Sequence, residues 1–331
     1  MTDRIREFWQ AYLINFLFWT SLAQGTIIFA AVLNLSTAKW GKRYVELSRY
    51  FIGFLPASFV LFIGVMLGRN HIFPWITNPV VENTAYLNVP FLAVRNFAGL
   101  AVLAVLSWVF LHKTRDMYAD VERSSSPWAV TLAIAYSLIY TYLAFDLVMS
   151  LQPTWYSTLI GAHFAVSGLY LGMAGLCLAG TLAGGVNTED RQKISMLMFG
   201  FSLFWVSLLW SQYIVIWYGD KPEETQFVYR AFFQMPWKAI TLAVLALAFV
   251  LPFIGLMSRR VKLTNTVPFL GSLSIVVGLM LEKYMLIAPS FSPGRFNVGW
   301  IHLWVTLAFA VVFAVIYHIG TRFQRKESRG G

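Results

Sequence analysis

Few residues of this chain have side chains that could do chemistry, and most of those lie near the ends of apolar runs. Asp146 closes one such run, and His163 opens the next, with the aromatic stretch Gln152-Pro-Thr-Trp-Tyr156 between them. Arg95 lies early in the preceding run, Glu282 and Lys283 stand together near the end of a later one, and His302 begins the last. Asn15, Gln24, Gln212 and Tyr213 add amide and phenol groups within apolar surroundings. An isolated acid inside a bilayer costs several kcal/mol, so Asp146 requires a partner. Arg95, at a similar depth on the neighbouring run, is the expected one. Two readings stand for the pair: an ion pair that ties two helices together, or a proton-exchanging acid beside a redox or transport site. His163 is either a helix-end histidine that meets interfacial water or a ligand and proton acceptor. Asn15, Gln24 and Gln212 suit interhelical hydrogen bonds, or, with Tyr213 and Glu282, contacts to a ligand or a proton path. His71, Trp75, Trp155, Tyr156 and Trp217 fall in the connecting loops, where aromatic residues form an interfacial belt.

The elements that must position these groups are membrane spans. The chain is 58% hydrophobic and only 12% charged, and soluble domains carry roughly twice that charged fraction. Nine apolar runs approach the length of about 20 residues that a spanning helix needs. They cover 10–36, 50–68, 88–111, 127–151, 158–184, 195–218, 236–257, 266–288 and 300–320. In lipid the backbone must satisfy itself, so each run is expected to be helical and the fold all-α. The first run is long and aromatic and has no small-residue cleavage site, unlike a signal peptide. Cys177 is the single cysteine, which excludes disulfides within the chain and cysteine metal clusters.

Basic residues orient the spans. Sixteen of them (Lys39, Lys42, Arg43, Arg49, Lys113, Arg115, Arg123, Arg191, Lys193, Arg259, Arg260, Lys262, Arg322, Arg325, Lys326 and Arg329) fall on one side. Seven (Arg4, Arg6, Arg69, Lys221, Arg230, Lys238 and Arg295) fall on the other. The richer side is expected to be cytoplasmic, with the N-terminus outside and the C-terminus inside. The net charge of +10 is then a property of membrane loops rather than a sign of nucleic-acid binding. A faint repeat at an offset of 147 residues pairs Leu22, Gly25, Leu35, Ser48, Gly53 and Phe54 with Leu169, Gly172, Leu182, Ser195, Gly200 and Phe201. It predicts two four-helix units in one orientation with a ninth helix appended. The corresponding division is 1–151, 152–290 and 291–331.

Several signals are missing. Haem held within a bundle needs histidines paired deep in facing helices, whereas His112, His318, His71, His163 and His302 all lie near run ends. No phosphate-binding or dinucleotide fingerprint occurs. The chain is therefore expected to bind no haem or metal itself.

Four stretches carry a resemblance. Phe145-Asp-Leu-Val-Met-Ser-Leu-Gln-Pro-Thr-Trp-Tyr-Ser-Thr-Leu-Ile-Gly161 resembles the segment between two bundles in the NrfD-like membrane subunits of alternative complex III. Ser211-Gln-Tyr-Ile-Val-Ile-Trp-Tyr-Gly-Asp-Lys-Pro-Glu-Glu-Thr225 and Leu251-Pro-Phe-Ile-Gly-Leu-Met-Ser-Arg259 are similar to two further blocks of that family, as is Tyr12-Leu-Ile-Asn-Phe-Leu-Phe-Trp19. The second block resembles the F subunit more than the larger C subunit. The resemblance implies an all-α integral membrane protein of two tandem four-helix bundles plus a peripheral C-terminal helix, in a bacterial cytoplasmic membrane. It also implies a complex that oxidises menaquinol or ubiquinol through an extracytoplasmic iron–sulfur subunit and c-type haem subunits. A homologous NrfD-like C subunit would sit alongside in the lipid. On this likeness Asn15, Gln24, Gln212, Tyr213 and Glu282 become candidate quinone or proton-path contacts, and Asp146, His163 and Arg95 a candidate proton-exchange group. The departures are a span count of nine where ten is common, no histidine in Leu245-Ala-Leu-Ala-Phe-Val250, and Glu282 as the acid of the eighth span.

Two other functions compete: a secondary transporter with parallel repeats, and a structural anchor for partner subunits. Transporters place breaks at matching positions of the two halves, but Pro56 in the second span has no proline counterpart in the sixth. Asp146 and His163 are expected to meet in a hydrated, outward-facing pocket where the two units join. The stretches His71–Ile76, Gln152–Thr158 and Gly219–Thr225 are expected to contact the redox partner.

Overall fold

The computed structural model describes residues 2–79, 84–114, 126–153, 155–219, 222–258, 264–291 and 299–327. Arg115, Arg123, Lys221, Arg259, Arg260, Lys262, Arg295 and Arg329, among the cations used for orientation, lie outside the described residues, as does Asp220 of the Gly219–Thr225 stretch. All regular structure among the described residues is helical. The helices are α1 (Thr2–Leu35), α2 (Lys42–Ser48), α3 (Phe54–Leu67), α4 (Arg69–Ile72), α5 (Pro74–Thr77), α6 (Val89–Lys113) and α7 (Pro127–Leu147). They continue as α8 (Ile160–Ala183), α9 (Thr188–Gly219), α10 (Pro222–Phe233), α11 (Trp237–Met257), α12 (Thr266–Phe291) and α13 (Trp300–Glu327).

Eight helices among the described residues are long and apolar enough to cross a membrane: α1, α6, α7, α8, α9, α11, α12 and α13. The expected second span needs a qualification. Its helix α3 has 14 residues, about 21 Å at 1.5 Å per residue, short of a hydrocarbon core of about 30 Å. Together with Lys39–Phe51 across a 41° bend it makes a ninth candidate. Gly53 sits at that break, where a side chain would press on Ile316 of α13. A second difference lies between α9 and α11, where the sequence suggested only a loop. There α10 is an amphipathic helix: Phe227, Val228 and Ala231 are buried, while Tyr229 and Phe233 face outward. Their i, i+1 and i+4 spacing puts the buried three on one stripe.

The most extensive helix contact joins α1 to α8. Each of these helices belongs to a different half of the 147-residue repeat, and the matched Gly25 and Gly172 meet at their crossing. A Cβ on Gly25 would collide with the backbone of Gly168 and Gly172, and one on Gly172 with the backbone of Gly25 and Thr26. Small residues spaced by four allow helix backbones this approach. Around the crossing, contacts run from α1 to α3, α3 to α6, α6 to α7 and α7 back to α1. On the other side they run from α8 to α9, α9 to α11, α11 to α12 and α12 back to α8. Helix α13 lies against α1 and α3 and is the most exposed of the long helices.

One irregularity has a clear cause. Helix α11 widens into a π turn over Ala246–Val250, just before Pro252. Proline lacks the N–H that would bond the carbonyl four residues back, which here is Ala248. The hydroxyl of Tyr170 on α8 donates to that Ala248 oxygen at 3.0 Å, and Ser274 on α12 donates to Leu247 at 2.7 Å. A side chain at Gly278 would collide with Ala248, so α12 passes the turn closely.

Candidate functional site

Two buried carboxylates organise the polar interior. The first is Asp146, in the last turn of α7. Opposite it, α6 begins at Asn88, whose side chain accepts from the Phe91 amide at 2.9 Å, with Pro90 in the first turn. That capped start puts Arg95 and Asn96 less than two turns inside the helix. Arg95 donates from Nε to Asp146 Oδ2 at 2.8 Å and from Nη2 to Oδ1 at 2.5 Å. Asn96 Nδ2 donates to Oδ2 at 2.6 Å, and the Tyr86 hydroxyl to Oδ1 at 2.9 Å. Each carboxylate oxygen thus accepts two bonds. The guanidinium also lies between the Tyr86 and Phe91 rings, 4.1 and 4.2 Å from their centroids. Bidentate pairing and cation–π contact both suit arginine rather than lysine. Burial and the adjacent carboxylate raise the Tyr86 phenol above its ordinary range, so it remains a donor.

The second carboxylate is Glu282 on α12. Its Oε1 bonds His163 Nε2 of α8 and accepts from Trp205 Nε1 of α9, both at 2.8 Å. Its Oε2 accepts from Ser167 Oγ at 2.5 Å and from Lys283 Nζ at 2.6 Å. Lys283 also donates to Ser167 at 3.2 Å and rests 4.4 Å over the Phe164 ring. Glu282, Lys283, His163 and Ser167 are all fully buried. His163 meets the carboxylate through Nε2, and its Nδ1 is buried without a hydrogen-bond partner.

Two cavities share Trp155. One, of about 100 Å³, is lined by Tyr86, Phe145, Met149, Ser150, Trp155 and Tyr156. Its wall therefore includes Tyr86, a donor to Asp146. The other, of about 20 Å³, is lined by Trp155, Gln212, Tyr213, Phe227, Met285 and Leu286, among others. Met285 and Leu286 stand one helical turn from Glu282, and Gln212 two turns from Trp205, on the same helix faces. The small cavity therefore continues the faces that carry the Glu282 cluster. Trp155 stacks on Phe227 at 4.2 Å. Its indole Nε1, like Gln212 Nε2, is buried and has no hydrogen-bond partner. Buried donors are rarely left so.

The structure sorts the expected residues. Arg95 and Asp146 pair as anticipated. His163 is not among the hydrogen-bond partners given above for Asp146; it is held by Glu282, so the two residues belong to separate hydrogen-bonded clusters. Asn15 bonds Ala11, Trp19 and Thr306, and Gln24 bonds Ser107; both are spent on helix contacts. Tyr213 lines the small cavity beside Phe232. His302 bonds Tyr284 at 3.1 Å. Tyr86, Asn96, Ser167 and Trp205 were not anticipated. Among the described residues no three His, Cys, Asp or Glu side chains gather as a metal site would need. Compared with known proteins, the chain matches no family model and no curated sequence.

Proposed function

We propose that this chain is an NrfD-like membrane subunit of a quinol-oxidising complex of the alternative complex III type, similar to the F subunit. In this reading the two helix groups are tandem four-helix bundles, nine spans cross a bacterial cytoplasmic membrane, and α13 is peripheral. The N-terminus is outside and the C-terminus inside. The observation that carries the proposal is Trp155 Nε1, a buried donor without a hydrogen-bond partner, on the ring shared by two aromatic cavities. A quinone headgroup is a flat ring with carbonyl acceptors, which suits such walls and donors. The 20 Å³ space admits about one water, so a headgroup belongs in the larger cavity, against Tyr86, Tyr156 and Trp155.

Bound quinol would supply two electrons and two protons; the chain's residues would orient it and carry protons. Asp146, with all its lone pairs engaged, fixes Arg95 and Tyr86 as a rigid polar wall. His163 and Glu282 form the proton-exchanging pair: His163 Nδ1 can accept a proton while Nε2–H leans on the carboxylate. Iron–sulfur and c-haem subunits would dock on the outer face near Gln152–Thr158, and a homologous C subunit would lie alongside. The full saturation of Asp146 also supports a second reading, in which this pair is only a structural tie between α6 and α7. Titrating the purified chain in nanodiscs with a short-chain quinone, followed by tryptophan fluorescence, separates them. Saturable quenching that weakens about tenfold in Trp155→Phe, the cost of about one lost hydrogen bond, supports the site. No saturable quenching leaves only the structural role.

A further inference from the structure

A third cavity, of about 300 Å³, shares no lining residue with the two around Trp155. It opens on the face we place outside, where the start of α1, the α4–α5 segment and the end of α12 converge. Its polar lining is Arg6, Asn70, His71, Thr77, Asn78 and Ser290, and none of its lining residues is acidic. The Arg6 guanidinium lies 5.8 Å over the Phe291 ring, which holds it beside the cavity. Glu7, the nearest acid in sequence, is engaged with the Gly299 amide at 3.2 Å. Ser290 Oγ is buried with no hydrogen-bond partner.

We infer that this cavity binds a phosphate group. One guanidinium, one imidazole, and several amide and hydroxyl groups converge, with no carboxylate among the described lining residues. Guanidinium forks match tetrahedral oxyanions. The source is an outer-leaflet phospholipid. Helix α3 carries exposed Val60, Ile63 and Leu67 along one stripe that ends just before Asn70, a track on which an acyl chain can lie while its phosphate sits in the cavity. Basic pockets between membrane helices take lipid headgroups in the same way. A phosphate there would touch α1 and α12 together and so brace the two helix groups at their outer ends.

The test is native mass spectrometry of the full chain released from nanodiscs of phosphatidylcholine with a small share of phosphatidylglycerol, repeated with inorganic phosphate present. One phosphatidylglycerol retained in preference to phosphatidylcholine is expected. Its retention should weaken about tenfold in Arg6→Gln, as for one lost charge-assisted bond, and should be unchanged in Arg4→Gln, which lies outside the cavity lining. Displacement by millimolar inorganic phosphate would keep the phosphate site but assign it to the free ion. Equal retention in wild type and Arg6→Gln, or equal loss in Arg6→Gln and Arg4→Gln, would overturn the site.

Discussion

Removing the charge of Lys283 tests whether the Glu282 cluster is a true buried ion pair. Lys283→Met keeps an unbranched apolar stem but deletes the ammonium that donates to Glu282 Oε2 at 2.6 Å and to Ser167 at 3.2 Å. Glu282 would then be a fully buried carboxylate held only by Trp205, Ser167 and His163. Breaking a buried pair from one side costs about 3–5 kcal/mol, and the contact of Lys283 with the Phe164 ring is lost as well. Glu282→Gln strands Lys283 in the same way, at a similar cost. The double variant removes both charges, and exchanging a whole buried pair for neutral groups is often nearly neutral. The two single losses should therefore sum to about 6–10 kcal/mol, against a few for the double, a coupling of at least about 3 kcal/mol. Equilibrium unfolding in mixed micelles of rising SDS fraction, read by tryptophan fluorescence, measures all four states. Additive losses, or a Lys283→Met cost under about 1 kcal/mol, the range of an exposed pair, would mean that Glu282 and Lys283 are not coupled as a buried ion pair.

Asp146→Asn should cost about 2–4 kcal/mol although it keeps the shape. Four donors face the carboxylate, so an amide NH2 must point at two of them and Arg95 loses its counter-charge. Thermal unfolding of the variant checks this, and an unchanged midpoint would mean the pairing adds nothing. Gly172→Ala should destabilise by about 1–3 kcal/mol despite alanine's better helix propensity, because the new Cβ meets backbone rather than movable side chain. The same unfolding assay should show Gly200→Ala as neutral or stabilising, since no atom lies near that position. His163→Gln should slow proton release in the assembled complex with little change in quinone affinity; equal loss of both would place His163 at the headgroup rather than in the proton path.

The Arg95–Asp146 pair was legible because ionisable residues are so scarce in the spans that depth alone matched them. Its other partners were not. Asn96 and Tyr86 contribute through a helix start and a loop whose geometry depends on the Asn88 cap. Glu282, Lys283 and His163 each stood out singly, yet their meeting depends on α8, α9 and α12 converging across 119 residues of sequence between His163 and Glu282. Ser167 and Trp205 carry no signal at all, since serine and tryptophan are ordinary in apolar helices. The repeat pointed to Gly25 and Gly172 as equivalents, but only the structure shows that they touch. Helix α10 was missed because a dozen residues mixing Glu, Gln and Arg with aromatics read as a loop until one face had something to pack on. The second span is ambiguous for a physical reason: its helix is too short to cross alone and is bent from its neighbour.

Photolabelling with an azido-quinone, followed by peptide mapping of the assembled complex, shows where a quinone headgroup sits. Saturable labelling, competed by excess quinol, is expected within 145–164, the segment that carries Trp155 and lines the larger cavity, and should weaken in Trp155→Phe. Labelling confined to a neighbouring subunit, or labelling of this chain that excess quinol does not compete, would contradict a headgroup site beside Trp155.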